Sequence, residues 1–384
     1  MLDREIGRHS LVARATLSLL CGYCFLLRVV RTKVLPSARR MRAVRDEFYV
    51  TMWRSSAEAV GARFNALPDG TAEIQSSGRL MKVRANVTSL DDDATLERAG
   101  DKLLVYGLLE RIGIPIPRHI VIGVGEFEKA LHMLRSSAVP LVVKPAANTG
   151  AGAGVSTNVL TPHQLRAAVA WARAYGSRIL VEEQMEGDCY RVLMMDGEVL
   201  DTVVRHPPSV IGDQLSTVRQ LVRHENKLRR EEGMARAQVL IRLDPDLRNT
   251  LSSQGRNLDS RPAKGEVVVL KRVINDNCAR ENASANGCLS PSILDSARKA
   301  ADVVGVRLAG VDIICRDPGV PLERSGGRII EVNTTPGLYY HCRATDSRFP
   351  VAEQVLNRFF NAPTVRQRGE TDGCILRNPS DANP

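Results

Sequence analysis

A chain of 384 residues with 43% hydrophobic and 25% charged residues has an ordinary globular composition and room for one large domain or several lobes. Its aromatic content of 4% argues against recognition of single-stranded nucleic acid by base stacking. The formal charge of +10 is concentrated: residues 1–50 hold ten Lys+Arg against four Asp+Glu, so the body carries only +4 and offers no extended nucleic-acid-binding surface.

Residues 1–48 read as a basic arm, helical in two pieces broken near Pro36. Its longest uncharged run, Ala15 to Leu27, falls short of the ~20 residues a spanning helix needs. A helix packed on the body or a partner-binding arm fits this pattern better than membrane-surface contact, which its basic flank also allows. Cys21-Gly22-Tyr23-Cys24 has C-x-x-C spacing without the βαβ context of a redox pair, and the eight scattered cysteines fit a reducing, cytoplasmic setting.

A small mixed α/β segment follows over 49–98, with strands at 72–75 and 80–83. Asp91-Asp92-Asp93 opens a helix, and Ala99–Ile112 is helical up to Gly113. Strands are predicted at 119–122, 141–144 and 178–183, with helices over 126–135 and 161–175 between them. Asp196-Gly197 marks a hairpin of 190–195 and 198–205. Thr217 and Gln220 match a capping box, and 227–257 is helical in character. The body closes with a strand at 266–272, a helix at 292–305, strands at 308–315 and 328–333, and a helix at 351–360. Residues 363–384 read as a polar, disordered tail. The whole is an α+β protein of several lobes.

Several stretches carry chemistry. Lys144 ends an apolar strand. Asn148-Thr149-Gly150-Ala151-Gly152-Ala153-Gly154 spaces three glycines so that backbone N–H groups can approach phosphate oxygens, although a flexible loop would look the same. Asp312 lies inside an apolar strand, where an unpaired carboxylate is rare. Glu331 and Asn333 alternate with Ile330 and Val332, so they share one strand face and form an oxygen pair suited to Mg²⁺. Solvated polar residues at a strand end are the alternative for that pair taken alone.

These motifs, in this order, resemble the ATP-grasp superfamily over about residues 86–360, most closely the ATP-grasp domain of cyanophycin synthetase-like ligases and, more distantly, D-alanine–D-alanine ligases. The resemblance rests on Gly100-Asp101-Lys102, Gly113-Ile114-Pro115-Ile116-Pro117, Val143-Lys144-Pro145 with its glycine loop, Val181-Glu182-Glu183, Gly187-Asp188-Cys189-Tyr190-Arg191, Gly212-Asp213, Gly310-Val311-Asp312 and Glu331-Val332-Asn333-Thr334-Thr335-Pro336-Gly337. It implies two α+β lobes gripping ATP over residues 99–362, with a hinge near 182–188. It implies that Lys102, Lys144 and the loop Thr149–Gly154 (Thr149, Gly150, Gly152 and Gly154) hold the phosphates. Glu182, Glu183 and Met185 would hold adenine, Arg272 would neutralise the transferring phosphate, and Asp312, Glu331 and Asn333 would bind two Mg²⁺, with Mn²⁺ as a substitute.

The family's ribose-binding acid falls at Cys189, leaving Asp188 as the candidate. Arg205, Thr335, Gly337, Tyr340, His341 and Arg343 are candidate substrate residues. The segment 275–282 departs from the glycine-rich stretch of cyanophycin synthetases, and no Mur-ligase-like half follows, so cyanophycin synthesis itself is not expected. The activity implied is ATP-dependent ligation of a small-molecule acid to an amine, an amino acid or peptide, through an acyl phosphate. A small-molecule kinase and a non-catalytic ATP-binding protein are the alternatives. No nucleic-acid partner is expected, and a homo-oligomer is compatible with the sequence.

Overall fold

The computed structural model describes residues 17–29, 36–150, 152–233, 236–237, 239–342 and 350–362. The expected tail, Arg343 and much of the N-terminal arm lie outside them. Helix α1 spans 17–29. Helix α2 (Pro36–Ala59) starts at the proline expected to break the arm, since the first turn of a helix needs no partner for the missing N–H. It is followed by an antiparallel meander of β1 (Arg63–Ala66), β2 (Ala72–Ser76), β3 (Arg79–Arg84) and β4 (Val87–Thr88).

The two predicted helices, one opening at 91–93 and one over 99–112, are α3 (Asp93–Gly100) and α4 (Lys102–Arg111), with the boundary at Asp101 rather than Ala99. Asp101 separates them because its carboxylate caps α4, accepting from Leu103 N at 2.9 Å. The first lobe then contains β5 (His119–Ile122), α5 (Phe127–Ser136), β6 (Leu141–Pro145), β7 (Ser156–Val159), α6 (Pro162–Arg173) and β8 (Ile179–Glu183). Its antiparallel sheet has the order β5-β8-β6-β7, with α5 and α6 closing one face over Leu141, Val143, Leu165 and Val169.

The second lobe opens with the hairpin β9 (Asp188–Met195) and β10 (Glu198–Arg205). A small unit follows, with β11 (Ser209–Ile211), α7 (Val218–Glu232), α8 (Pro245–Ser253) and β12 (Val267–Val269) around Val218, Leu247 and Val268. The predicted capping box of α7 is present at Thr217 and Gln220. Then come β13 (Asn282–Ser284), α9 (Pro291–Val304), β14 (Leu308–Cys315), the one-turn helix α10 (Leu322–Ser325), β15 (Arg328–Asn333), the one-turn α11 (Tyr339–Cys342) and α12 (Val351–Asn361). The five-stranded sheet runs β13-β10-β9-β14-β15. Helices α4 and α9 pack on one face, and the N-terminal meander, α2 and α12 cover part of the other.

The chain passes from the first sheet to the second between Glu183 and Asp188. Gly187 makes the crossing possible: its φ is +124°, and a Cβ there would lie 2.2 Å from Cys315 O. Helix α4 wedges between the lobes, with Val105 and Leu109 in the core of the second and Tyr106 against Ala146 and Leu180 of the first.

Candidate functional site

The two sheets and the small unit enclose a cavity of about 220 Å³ beside the crossing. Most of the predicted residues meet there. Lys102, Lys144, Thr149, Gly150, Gly152, Glu182, Glu183, Met185, Asp188, Arg205, Arg272, Asp312 and Glu331 all line it. Apolar walls come from Val142, Val155, Ile274, Ile314 and Ile330. An apolar slot ringed by lysines and loop amides suits a ligand with a flat aromatic part and an anionic part.

Local geometry explains why these side chains point inward. Lys144 is the penultimate residue of β6, and its ammonium lies 2.8 Å from Glu182 Oε1 on the neighbouring β8. Lys144 Nζ also donates to the Tyr106 hydroxyl at 3.2 Å, which in turn donates to Glu182 Oε2 at 3.0 Å. Burial, with the nearby carboxylates Glu182 and Glu331, raises the Tyr106 phenol well above its ordinary value, so it stays protonated. Lys102, on the first turn of α4, donates to Thr149 O at 3.3 Å and sits 3.4 Å from Glu331 Oε1. The glycine loop between β6 and β7 contains Asn148, Gly152 and Gly154 at positive φ. Gly154 lies behind the cavity wall, where a Cβ would meet Pro145 Cγ at 2.7 Å.

On the second lobe a charged row crosses three strands. Register places Arg191 of β9, Asp312 of β14 and Glu331 of β15 side by side. Arg191 donates to both Asp312 oxygens, at 2.6 and 2.5 Å, and Arg205 Nη1 lies 3.9 Å from Oδ2. Although burial opposes its charge, Asp312 holds Arg191 protonated beyond the usual guanidinium range.

Strict alternation put Ile330 opposite Glu331, but both line the cavity. The pairing slips between Asp312/Glu331 and Ile313/Ile329, leaving Ile330 as an extra residue that rotates the end of β15.

Cys189, at the position expected for a ribose-binding acid, is a buried wall residue whose thiol is pushed up to about 12 by burial and by Asp312. Asp188 is the exposed carboxylate beside it. Arg272 reaches the cavity while its neighbour Lys271 turns inward, bonded at 2.7 Å to both Asp244 and Asp276.

Besides Gly154, five predicted residues lie off the cavity wall. Asn333 Nδ2 donates to Gly310 O at 3.2 Å and lies 3.5 Å from Asp312 Oδ2. Thr335 O accepts from Asn86 at 2.6 Å, and Gly337 stands beside the Tyr49 hydroxyl. Tyr340 carries the Arg205 guanidinium 5.0 Å above its ring. His341 is buried and bonded through Nδ1 to Asp201 at 2.7 Å; desolvation lowers its basicity against that carboxylate's pull.

Tyr106 and Arg191 are the site residues that sequence reasoning missed as functional groups. Arg191 could have been flagged as a cation in an otherwise apolar strand run. Nothing in the sequence around Tyr106 separates it from a packing aromatic.

The donor set fits a hard cation in kind: two carboxylates on adjacent strands and an amide nearby. Each Asp312 oxygen accepts one N–H from Arg191 and keeps a further lone pair. Among the described residues no three His, Cys, Asp or Glu side chains form a metal cluster, so a cation there would depend on Asn333 or on ligand oxygens. Also among the described residues, no helix is long and apolar enough to cross a membrane.

Comparison with known proteins agrees with this arrangement. The model of the D-ala D-ala ligase C-terminus family matches residues 108–253. Cyanophycin synthetase of Synechocystis is 30% identical over 289 residues, covering 74% of this chain and 33% of that protein. The counterpart of Trichormus variabilis is 29% identical over 262 residues, 68% of this chain and 29% of that protein. The bifunctional glutathione biosynthesis protein of Listeria innocua is 29% identical over 265 residues, 67% of this chain and 34% of its length. The chain thus spans about a third of these curated relatives. Among solved structures, the bifunctional glutathione synthetase of Pasteurella multocida aligns with a TM-score of 0.49 at 21% identity, covering 79% of this chain and 44% of that one. With its ordered motifs gathered around one cavity, the chain is similar in sequence to cyanophycin synthetases, to bifunctional glutathione-biosynthesis proteins and to the C-terminal part of D-alanine–D-alanine ligases.

Proposed function

We propose that this protein is an ATP-dependent carboxylate–amine ligase that joins a small acid to an amino acid or peptide amine through an acyl phosphate, releasing ADP and phosphate. The observation that carries the reading is the meeting, in one cavity, of Lys102, Lys144, Arg272 and the glycine loop with the carboxylates Asp312 and Glu331. Residues 99–362 form the catalytic unit in this reading, preceded by the small segment 49–98.

The chemistry follows from charge. A free carboxylate is a poor acylating agent because its leaving group is oxide. Transfer of a phosphoryl group to it creates a phosphate leaving group, and the amine can then form the C–N bond. Phosphoryl transfer needs neutralised charge and in-line positioning rather than a protein nucleophile. Lys102 and Lys144 would hold the phosphates from either side of α4 and β6. Arg272 would supply the mobile positive charge, because its neighbour Lys271 is already neutralised by two carboxylates. The loop over 149–154 would exclude water from the acyl phosphate. Met185, the Glu182–Glu183 backbone and the apolar walls would hold adenine, with Asp188 as the ribose contact. Asp312, Glu331 and Asn333 would hold Mg²⁺, which when bound neutralises phosphate charge. The turn 334–337, Arg205, Tyr340 and His341 would shape the acceptor side.

The test is a phosphate-release screen of amino acids and peptides with Mg-ATP, followed by mass spectrometry of each hit for an amide. A phosphorylated product with no amide, whatever amine is supplied, would make the protein a kinase instead. In the same assay Arg272→Ala should lower kcat by roughly 10²–10³ with little change in nucleotide affinity.

A further inference from the structure

Helix α1 has two apolar faces. Leu17, Leu20, Cys21 and Cys24 share one arc of its helical wheel and pack against Ala170 and Trp171 of α6 and Ala174 at its C-cap. Arg28 extends that arc, donating to Ala174 O with its guanidinium 4.8 Å from the Tyr175 ring centroid. Leu19, Tyr23 and Leu26 recur at i, i+4 and i+7 on the opposite arc. They are 77%, 59% and 60% exposed, and Phe25 on the flank is 55% exposed. A helix that only covered α6 would carry polar residues there. Four large exposed apolar side chains close together on an anchored helix mark a contact surface.

Charge identifies what the surface meets. From Arg28 to Arg45 the sequence carries Arg28, Arg31, Lys33, Arg39, Arg40, Arg42 and Arg45 and no carboxylate. Arg39, Arg40 and Arg42 are exposed at the start of α2. A second copy docked face to face would set these cations against their own counterparts, which is unfavourable. An anionic surface of low shape specificity satisfies both the apolar stripe and the basic flank.

We propose that the outer face of α1, with the exposed arginines Arg39, Arg40 and Arg42 of α2, is a peripheral docking site for an anionic lipid surface. The helix lies in the headgroup region, Leu19, Tyr23, Phe25 and Leu26 enter the acyl boundary, and the cations hold lipid phosphates. The docking is independent of the ligase reading, and its test needs no substrate.

The full chain is floated with phosphatidylcholine vesicles containing about 30% phosphatidylglycerol, and with pure phosphatidylcholine vesicles. Binding should be at least ~10-fold greater to the anionic vesicles and should fall as salt rises. Leu19→Glu with Leu26→Glu, both at exposed positions, should reduce bound protein by about 10-fold with an unchanged melting temperature. Arg39→Glu with Arg40→Glu should remove the preference for anionic lipid. Absence of flotation, equal binding to neutral vesicles, or full binding by the leucine double variant would overturn the proposal. So would a dimer in light scattering that the leucine variant dissolves, because the face would then belong to a second copy.

Discussion

Asp312 is held by two short hydrogen bonds from buried Arg191, so its loss has two consequences that must be separated. Removing it strands a guanidinium in the interior, a change that typically costs about 3–5 kcal/mol in stability. An inactive Asp312→Asn variant would therefore say little by itself. Glu331 is the better probe, because it is only partly buried and its ammonium neighbour lies at 3.4 Å. Glu331→Gln should leave the denaturant midpoint nearly unchanged while lowering Mg-ATP-dependent phosphate release by at least roughly 10-fold. Activity retained with normal folding would remove Glu331 from the proposed metal site.

A second residue, Glu225, sets an acid limit on stability. Burial opposes its ionisation, but Arg236 and Arg229 outweigh that by hydrogen-bonding both oxygens, and its carboxyl falls from 4.5 to about 2. Below 4.5 the unfolded carboxylate takes a proton that the folded one refuses. The stabilisation is thus complete above 4.5 and is lost as pH falls towards 2. Thermal midpoints of the wild type and Glu225→Gln should converge across that window; a constant gap would show that the arginines do not act through this charge.

Among the elements, the glycine loop depends on what lies under its stem. Thr157, two residues into β7, donates to Asp246 Oδ1 from its backbone N at 2.8 Å and from its hydroxyl at 2.5 Å. The other Asp246 oxygen accepts from Val273 N at 3.2 Å, one residue beyond Arg272. One buried carboxylate on α8 therefore ties the phosphate-loop stem to the segment after β12 that presents the arginine. Asp246→Ala would leave these buried donors without partners and should cost roughly 3 kcal/mol in urea unfolding. If the loss were within ~0.5 kcal/mol, water or another side chain would have replaced the tie. Periodicity predicted helical character across 227–257, but this junction is invisible in it because its members are 89 and 27 residues apart in sequence.

For the whole molecule, the cavity lies where two independently cored sheets meet, and α4 belongs to both. A ligand that touches both lobes stabilises only the state in which they face each other. Addition of a non-hydrolysable ATP analogue with Mg²⁺ should therefore raise the melting temperature, by the equivalent of about 2.7 kcal/mol at one hundred times Kd. A nucleotide that left the melting curve unmoved at saturating concentration would count against the cavity as its site.

The succession of elements is written in local sequence, because buried strands and helices carry their own periodicities and stop signals. The strand at 308–315, the hairpin at Asp196-Gly197 and the capped start of α7 are all legible in that way. The ordered lysines, glycines and carboxylates also named most of the cavity wall. Tertiary structure alone decided that Arg191, Asp312 and Glu331 stand in one row, since strand order and register are not written in any one strand. It also decided that a bulge at Ile330 turns an apolar residue into the site, that Tyr106 bridges the lobes, and that Lys271 is buried while Arg272 is presented. Each of these depends on long-range pairing, where the energy of burying a charge is settled by a partner far away in the chain.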